Sequence, residues 1–272
     1  MSSDRLRMLA KRALTLGTLC AAVALAGCQT TSRTQPGSPE VTGSISRPQP
    51  ARTTAATLPQ MGENTTRNVA AYAKVWEQDQ GNVPAAMTYA ASLRAIGQQN
   101  KVVEVLGETA RRNPSDPVIL AVYGKELAKA GMGEQASVVL KQAMNTGQAD
   151  WSVYSAQGAV LDQMGRHAEA RSHYEQALQR GGDRGTVLNN MGLSYALEGN
   201  LNQAEQVLSA AASEPANAGN TQLRQNLALV MGLRGNYDNA RQVAGRDLPS
   251  NVVEGNMKVL KTIAAVPSAN AG

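Results

Sequence analysis

Glycine recurs at Gly97, Gly131, Gly165, Gly199 and Gly235, at intervals of 34, 34, 34 and 36 residues. A fixed period of that size is the mark of a repeat architecture, in which one short unit stacks on copies of itself. Each of these glycines follows an apolar-periodic stretch of about fourteen residues, the place where a helix should end, and glycine ends a helix at low steric cost. Some eighteen residues later comes a second break, at Asn113-Pro114, Thr146-Gly147, Gly181-Gly182 and Glu214-Pro215. Helix, turn, helix, turn is therefore the unit. The boundaries run Val83–Asp116, Pro117–Asp150, Trp151–Arg184, Gly185–Ala218 and Thr221–Pro249, the last being short, with residues 219 and 220 inserted.

Two further sets of positions repeat with the glycines. Small residues fall on the first helix at Ala90, Gly124, Gly158, Gly192 and Ala228. On the second helix Val102, Ala136, Ala170, Ala204 and Ala240 are followed four residues on by Leu106, Leu140, Tyr174 and Leu208 in the first four units. A small residue facing a large one lets two helices of a hairpin come close. Strings such as Gly165-Arg-His-Ala-Glu-Ala170 and Gly235-Asn-Tyr-Asp-Asn-Ala240 complete a pattern that resembles the tetratricopeptide repeat (TPR). With no Phe and nine aromatic residues, the core must come from Ala, Leu, Val, Met and a few Tyr, which suits thin helix pairs. The expectation is an all-α, right-handed TPR solenoid of about five hairpins. A helix over Val69–Gln80, carrying Tyr72 and Trp76, and another over Val252–Ala265 would cap its open ends. The domain layout expected is 1–27 signal peptide, 28–66 tether, 67–266 TPR domain and 267–272 disordered tail.

The amino-terminal layout is that of an export signal. Residues 1–12 are basic, Ala13–Gly27 are apolar and uncharged, and about fifteen residues are too few for a span, which needs about 20. The stretch ends in Leu25-Ala26-Gly27-Cys28, which resembles the lipobox of bacterial lipoproteins. That resemblance implies lipidation of Cys28 and cleavage before it, and Gln29 in place of Asp implies sorting to the outer membrane. Cys20 leaves with the signal, so no disulfide and no cysteine metal site is expected. Gln29–Thr66 is rich in Thr, Ser, Pro and Gln without apolar periodicity, and a flexible coil of that length spans roughly 30–37 Å.

Removing the signal leaves 22 Lys+Arg against 20 Asp+Glu, so the high pI is no footprint for nucleic acid. No catalytic residues, metal site or cofactor are expected: the chain shows no zinc-type His spacing, nucleophile elbow or phosphate-cradling loop. Its two histidines, His167 and His173, read as a solvated turn residue and a helix surface residue.

The expected function is to bind a protein partner. In a TPR array the first helices line the inner wall, which here places Met87, Arg94, Lys125, Lys129, Ser155, Asp162, Gln163, Asn189, Leu193, Gln225 and Leu229 as candidate contacts. Lys125 and Lys129 occur in one unit without matching cations in the next, which argues against a clamp for a carboxylate terminus. An amphipathic helix laid against the Leu and Met anchors fits better.

Lipobox, tether, repeats and the terminal strings Asn226-Leu-Ala-Leu-Val-Met-Gly-Leu-Arg-Gly-Asn-Tyr, Arg246-Asp-Leu-Pro-Ser250 and Asn256–Leu260 together resemble the TadD-like lipoproteins of the tight-adherence (Flp) pilus system. The resemblance implies an outer-membrane lipoprotein facing the periplasm and acting like a pilotin, an aid to localisation or assembly of the pilus secretin. The alternative is a lipoprotein adaptor for another envelope process, such as peptidoglycan remodelling or outer-membrane protein insertion.

Overall fold

The computed structural model describes residues 65–265, with side chains from 68 to 263. Cys28, Cys20, the tether up to residue 64 and the tail 267–272 lie outside the described residues. Among the described residues the chain is all helical, without strands. Helix α1 (Thr65–Gln78) precedes five hairpins. These are α2 (Val83–Ala95) with α3 (Gln99–Arg112), α4 (Pro117–Lys129) with α5 (Gly133–Asn145), and α6 (Trp151–Gln163) with α7 (His167–Gln179). Then come α8 (Arg184–Glu198) with α9 (Leu201–Ser213), and α10 (Thr221–Leu233) with α11 (Tyr237–Ala244). Helix α12 (Ser250–Ala265) closes the array. The flanking helices start earlier than the pattern suggested, α1 at Thr65 rather than Val69 and α12 at Ser250 rather than Val252.

Local chemistry sets the unit. Every first helix begins at an Asn or Asp whose side chain accepts from the first-turn amides: Asn82, Asp116, Asp150, Asp183 and Asn220. These caps satisfy N–H groups that have no helical partner. Within each hairpin the first helix ends at the recurring glycine, whose φ lies between 75° and 90° at Gly97, Gly131, Gly165, Gly199 and Gly235. The next amide bonds back five residues, as in Gln98 to Leu93 and Met132 to Leu127, both at 2.9 Å. This is a Schellman turn, and the left-handed residue it needs explains the 34-residue spacing.

The small-against-large pairs meet as their spacing implied. A methyl on Gly124, Gly158 or Gly192 would lie 2.7, 2.5 and 2.5 Å from Leu140 Cγ, Tyr174 Cε1 and Leu208 Cγ respectively. In the fifth hairpin the large residue is missing. Ala244 takes its place, and Val253 of α12 fills the gap beside Ala228. Leu260 of the same helix sits over Gly232. At the other end Tyr72 and Trp76 of α1 are buried, and Trp76 Nε1 donates to Thr109 Oγ1 at 3.0 Å. Both ends of the stacked core are thus covered by apolar side chains, as an array whose units bury their faces only against neighbours requires.

Successive first helices also touch one another directly, α4 with α6, α6 with α8 and α8 with α10, while no two second helices pack comparably. The array is therefore tighter on its first-helix side, and that side is the concave wall. No helix among the described residues is long and apolar enough to cross a membrane.

Candidate functional site

The concave wall is laced by side-chain bonds that run from unit to unit. Lys125 Nζ donates to Ser152 Oγ at 2.6 Å, joining α4 to α6. Asn190 Nδ2 donates to Ser155 Oγ at 3.3 Å, joining α8 to α6. Asn226 Nδ2 donates to Asn189 Oδ1 at 2.7 Å, joining α10 to α8. Of the expected contact residues, Met87, Arg94, Lys125, Leu193, Gln225 and Leu229 are half-buried on this wall, and Lys129 and Gln163 are exposed. Ser155, Asp162 and Asn189 differ. They are over nine-tenths covered and bonded to neighbouring units, so they hold the wall together rather than offer themselves to a partner. Position counting misses this because it treats each unit alone, whereas the next first helix covers part of each wall position.

The wall's cations are also largely occupied. Glu126, whose side chain is only 3% exposed, accepts from Arg94 Nε at 3.1 Å, Lys129 Nζ at 2.8 Å and Gln99 Nε2 at 2.6 Å. Burial alone would raise the Glu126 pKa, but hydrogen bonds from Lys129 and Gln99 and the Arg94 charge outweigh it, leaving it below the ordinary value. Two of the three candidate cations, Arg94 and Lys129, thus neutralise an internal carboxylate. A carboxyl depressed in the fold contributes stability that is present above its unfolded pKa and lost as pH falls through the folded one. Glu126→Gln is expected to lower stability by about 1 kcal/mol at neutral pH. In urea unfolding at a series of pH values, the gap from wild type should close below about pH 4, near the ordinary glutamate pKa.

A second buried carboxylate behaves oppositely. Asp162 Oδ1 lies 2.8 Å from His167 Nδ1 and accepts from Ser194 Oγ at 2.7 Å, while Oδ2 accepts from Tyr174 Oη at 2.8 Å. These groups come from α6, α7 and α8, so the cluster joins the third and fourth hairpins. Burial raises the Asp162 pKa, and hydrogen bonds from His167, Ser194 and Tyr174 only partly oppose it. The histidines need correcting. His167 is not a solvated turn residue: its side chain is 10% exposed and bonded to Asp162. His173 is half-buried, with its ring 6.5 Å from that of Tyr154 and its pKa lowered by burial and then by Lys141. Both partners lie on other helices or across a turn, where helix-face counting does not look.

The Asp162 cluster contains Ser, His and Asp, but not in the relation of a nucleophile to its base. Ser194 donates to the carboxylate directly, and His167 contacts that carboxylate rather than the hydroxyl. Activation of a serine needs the imidazole to take its proton. No group of three or more potential metal ligands occurs among the described residues.

The fold and its inner wall define a helical-hairpin repeat scaffold, a class that binds partners along an extended concave surface. A family model described as tetratricopeptide repeat matches residues 152–180, which span α6 and α7, and the other hairpins share the fold of that one. Three solved structures illustrate the shared fold. A tetratricopeptide repeat protein from Parabacteroides merdae superposes with TM-score 0.57 at 11% identity, covering 72% of this chain and 78% of that one. Cut9, in its hetero-tetramer with Hcn1 from the APC/C, gives 0.53 at 16% identity, covering 72% and 39%. YrrB, a TPR protein with an unusual peptide-binding site, gives 0.51 at 14%, covering 73% and 100%. No curated protein matches the chain in sequence.

Proposed function

We propose that this protein is a lipid-anchored periplasmic adaptor of the outer membrane that serves tight-adherence pilus assembly, aiding localisation or assembly of the secretin as a pilotin does. The observation that carries the adaptor reading is the continuous concave wall of α2, α4, α6, α8 and α10, with Leu193 and Leu229 half-buried along it. The lipobox ending at Cys28 and the terminal strings Asn226–Tyr237 and Arg246–Ser250 support the anchor and the pilus assignment. An anchor confines the scaffold to one surface and raises the effective concentration of any partner there, so a modest groove contact suffices.

The test is copurification from detergent-solubilised outer membrane, wild type against Cys28→Ala, with partners identified by mass spectrometry. Wild type is expected to bring down a secretin, and the Cys28→Ala strain to leave that secretin mislocalised or unassembled. A cell-wall enzyme or an outer-membrane insertion factor in its place, or secretin assembly indifferent to the lipid, would sink the pilus assignment and leave the envelope adaptor.

A further inference from the structure

Most cations of the array sit beside a carboxylate: Arg112 on Glu108, Arg166 on Glu169, Arg184 on Glu214 and Arg234 on Glu205 are typical. The closing helix α12 differs. Its one acid, Glu254, is taken by Arg241 of α11 at 2.8 Å, while Lys258 and Lys261 have no carboxylate within ion-pair distance among the described residues. Lys261 lies instead over the Tyr237 ring, 5.1 Å from its centre. Two lysines three residues apart on a helix face repel each other, and an anion between them removes that repulsion. Between these lysines and Arg241 opens a cleft of about 400 Å³, lined also by Glu254, Met257 and Thr262.

The apolar residues of α12 fall on two sides. Val253, Met257 and Leu260 are buried against the fifth hairpin. On the outer side Val252 and Val259 are 41% and 56% exposed, two of the five large apolar side chains left so open among the described residues. Gly255, one turn from each valine, has nothing within 4 Å of where a Cβ would stand. Helical spacing therefore sets the valines along one flank of the outer face and turns Lys258 and Lys261 toward the other, with an open strip between. That is the arrangement of a helix lying in a lipid interface: apolar side chains enter the boundary below the headgroups, and lysine stems reach along it to phosphates.

We propose that α12 is a second membrane contact, lying on the anionic lipid surface to which Cys28 is anchored. Phosphate-bearing headgroups meet Lys258 and Lys261 and enter the cleft beside them, while Val252 and Val259 face the lipid. This rests on the anchor reading, not on the pilus assignment. Two lysines and two valines hold a surface only weakly by themselves, and the anchor makes the contact effective by keeping lipid at high local concentration. With one end of the array tied through the anchor before α1 and the other through α12, the scaffold lies along the membrane instead of standing off it. The direction in which its inner wall faces is thereby fixed.

The lipidated protein, purified in detergent and reconstituted into vesicles, tests it. With Cys28 lipidated and Cys20 gone with the signal, Gly255→Cys supplies a single free thiol for an environment-sensitive dye on the outer face of α12. The dye should report an apolar environment on vesicles of phosphatidylethanolamine and phosphatidylglycerol, and an aqueous one on phosphatidylcholine. Lys258→Gln with Lys261→Gln should lower the ratio of docked to undocked protein roughly thirtyfold, the product of two lysines at an anionic surface. Lys101→Gln with Lys141→Gln, the same charge change on α3 and α5, should leave it within about twofold. Val259→Asn should weaken docking while leaving unfolding in urea little altered, because that side chain is more than half exposed. Hydrogen exchange of the unlabelled protein should slow in α12 on the anionic vesicles and stay unchanged in α5. An aqueous dye on anionic vesicles, equal signals on both compositions, or an equal loss from the Lys101 and Lys141 pair would overturn the proposal. So would protection of α12 by a soluble acidic peptide and not by lipid, which would make this face a protein contact. If mass spectrometry finds Cys28 without lipid, the anchor reading fails, and hydrogen exchange with the same vesicles added from outside still decides whether α12 docks.

Discussion

Asp162→Ala is expected to lower the unfolding free energy by about 3 kcal/mol, because it removes the acceptor of the buried Tyr174 hydroxyl and leaves Ser194 only its longer bond, 3.4 Å, to the His167 carbonyl, at roughly 1–3 kcal/mol for each weakened group. Tyr174 is 1% exposed and Ser194 fully buried, so water cannot take over. Asp162→Asn keeps an acceptor oxygen and should recover most of the loss, which separates the lost hydrogen bonds from lost volume. The pH dependence has a definite sign. Burial holds the Asp162 pKa above its ordinary value, so the folded chain binds that proton more tightly than the unfolded one. Its contribution to stability therefore grows as pH falls through the folded pKa. The gap between wild type and Asp162→Ala should widen on acidification, where the gap for Glu126→Gln closes. Urea unfolding of both variants across the same pH series checks this; equal slopes would show that neither carboxylate is perturbed as described.

The repeat was legible because every unit solves the same packing problem. Gly97 through Gly235 share one turn conformation, and Gly124, Gly158 and Gly192 each meet the large side chain four residues beyond the second-helix alanine. Averaging over units is what revealed those positions, and it is also what hid the carboxylate clusters. Glu126 and Asp162 occur in single units, and apart from Lys129, three residues along the same helix from Glu126, their partners lie 27 to 32 residues away or across a turn. One signal did point to Asp162. The slot filled by Leu106, Leu140 and Leu208 holds Tyr174 in the third unit, and a phenol in a fully buried slot must find an acceptor. The inner wall was legible as a face and less so as a list, because the bonds among Ser155, Asn189, Asn190 and Asn226 consume side chains that look free in sequence.

Gly158→Val should be the most damaging single change along the hairpin interfaces, costing about 3 kcal/mol or more. A methyl at this position already falls 2.5 Å from Tyr174 Cε1 and 2.9 Å from Cζ. The ring cannot swing clear, since it is enclosed and its hydroxyl is bound to Asp162. Alanine would recover about 1 kcal/mol of helix preference over glycine and so soften the clash, leaving Gly158→Ala closer to wild type. Gly255→Ala is the control: nothing lies within 4 Å of the added methyl on α12, and it should stabilise by up to about 1 kcal/mol. Position in the array magnifies the effect of Gly158→Val. Each unit is stabilised by its neighbours, and at least about three are needed to stand alone. Opening the third hairpin leaves α2 to α5 on one side and α8 to α11 on the other, two units each, so the loss should spread through the array. Hydrogen exchange by mass spectrometry would show it as faster exchange in α2 to α5 and α8 to α11 as well as in α6 and α7. Exchange raised only in α6 and α7 would mean that the flanking pairs, with the caps α1 and α12, hold without the centre.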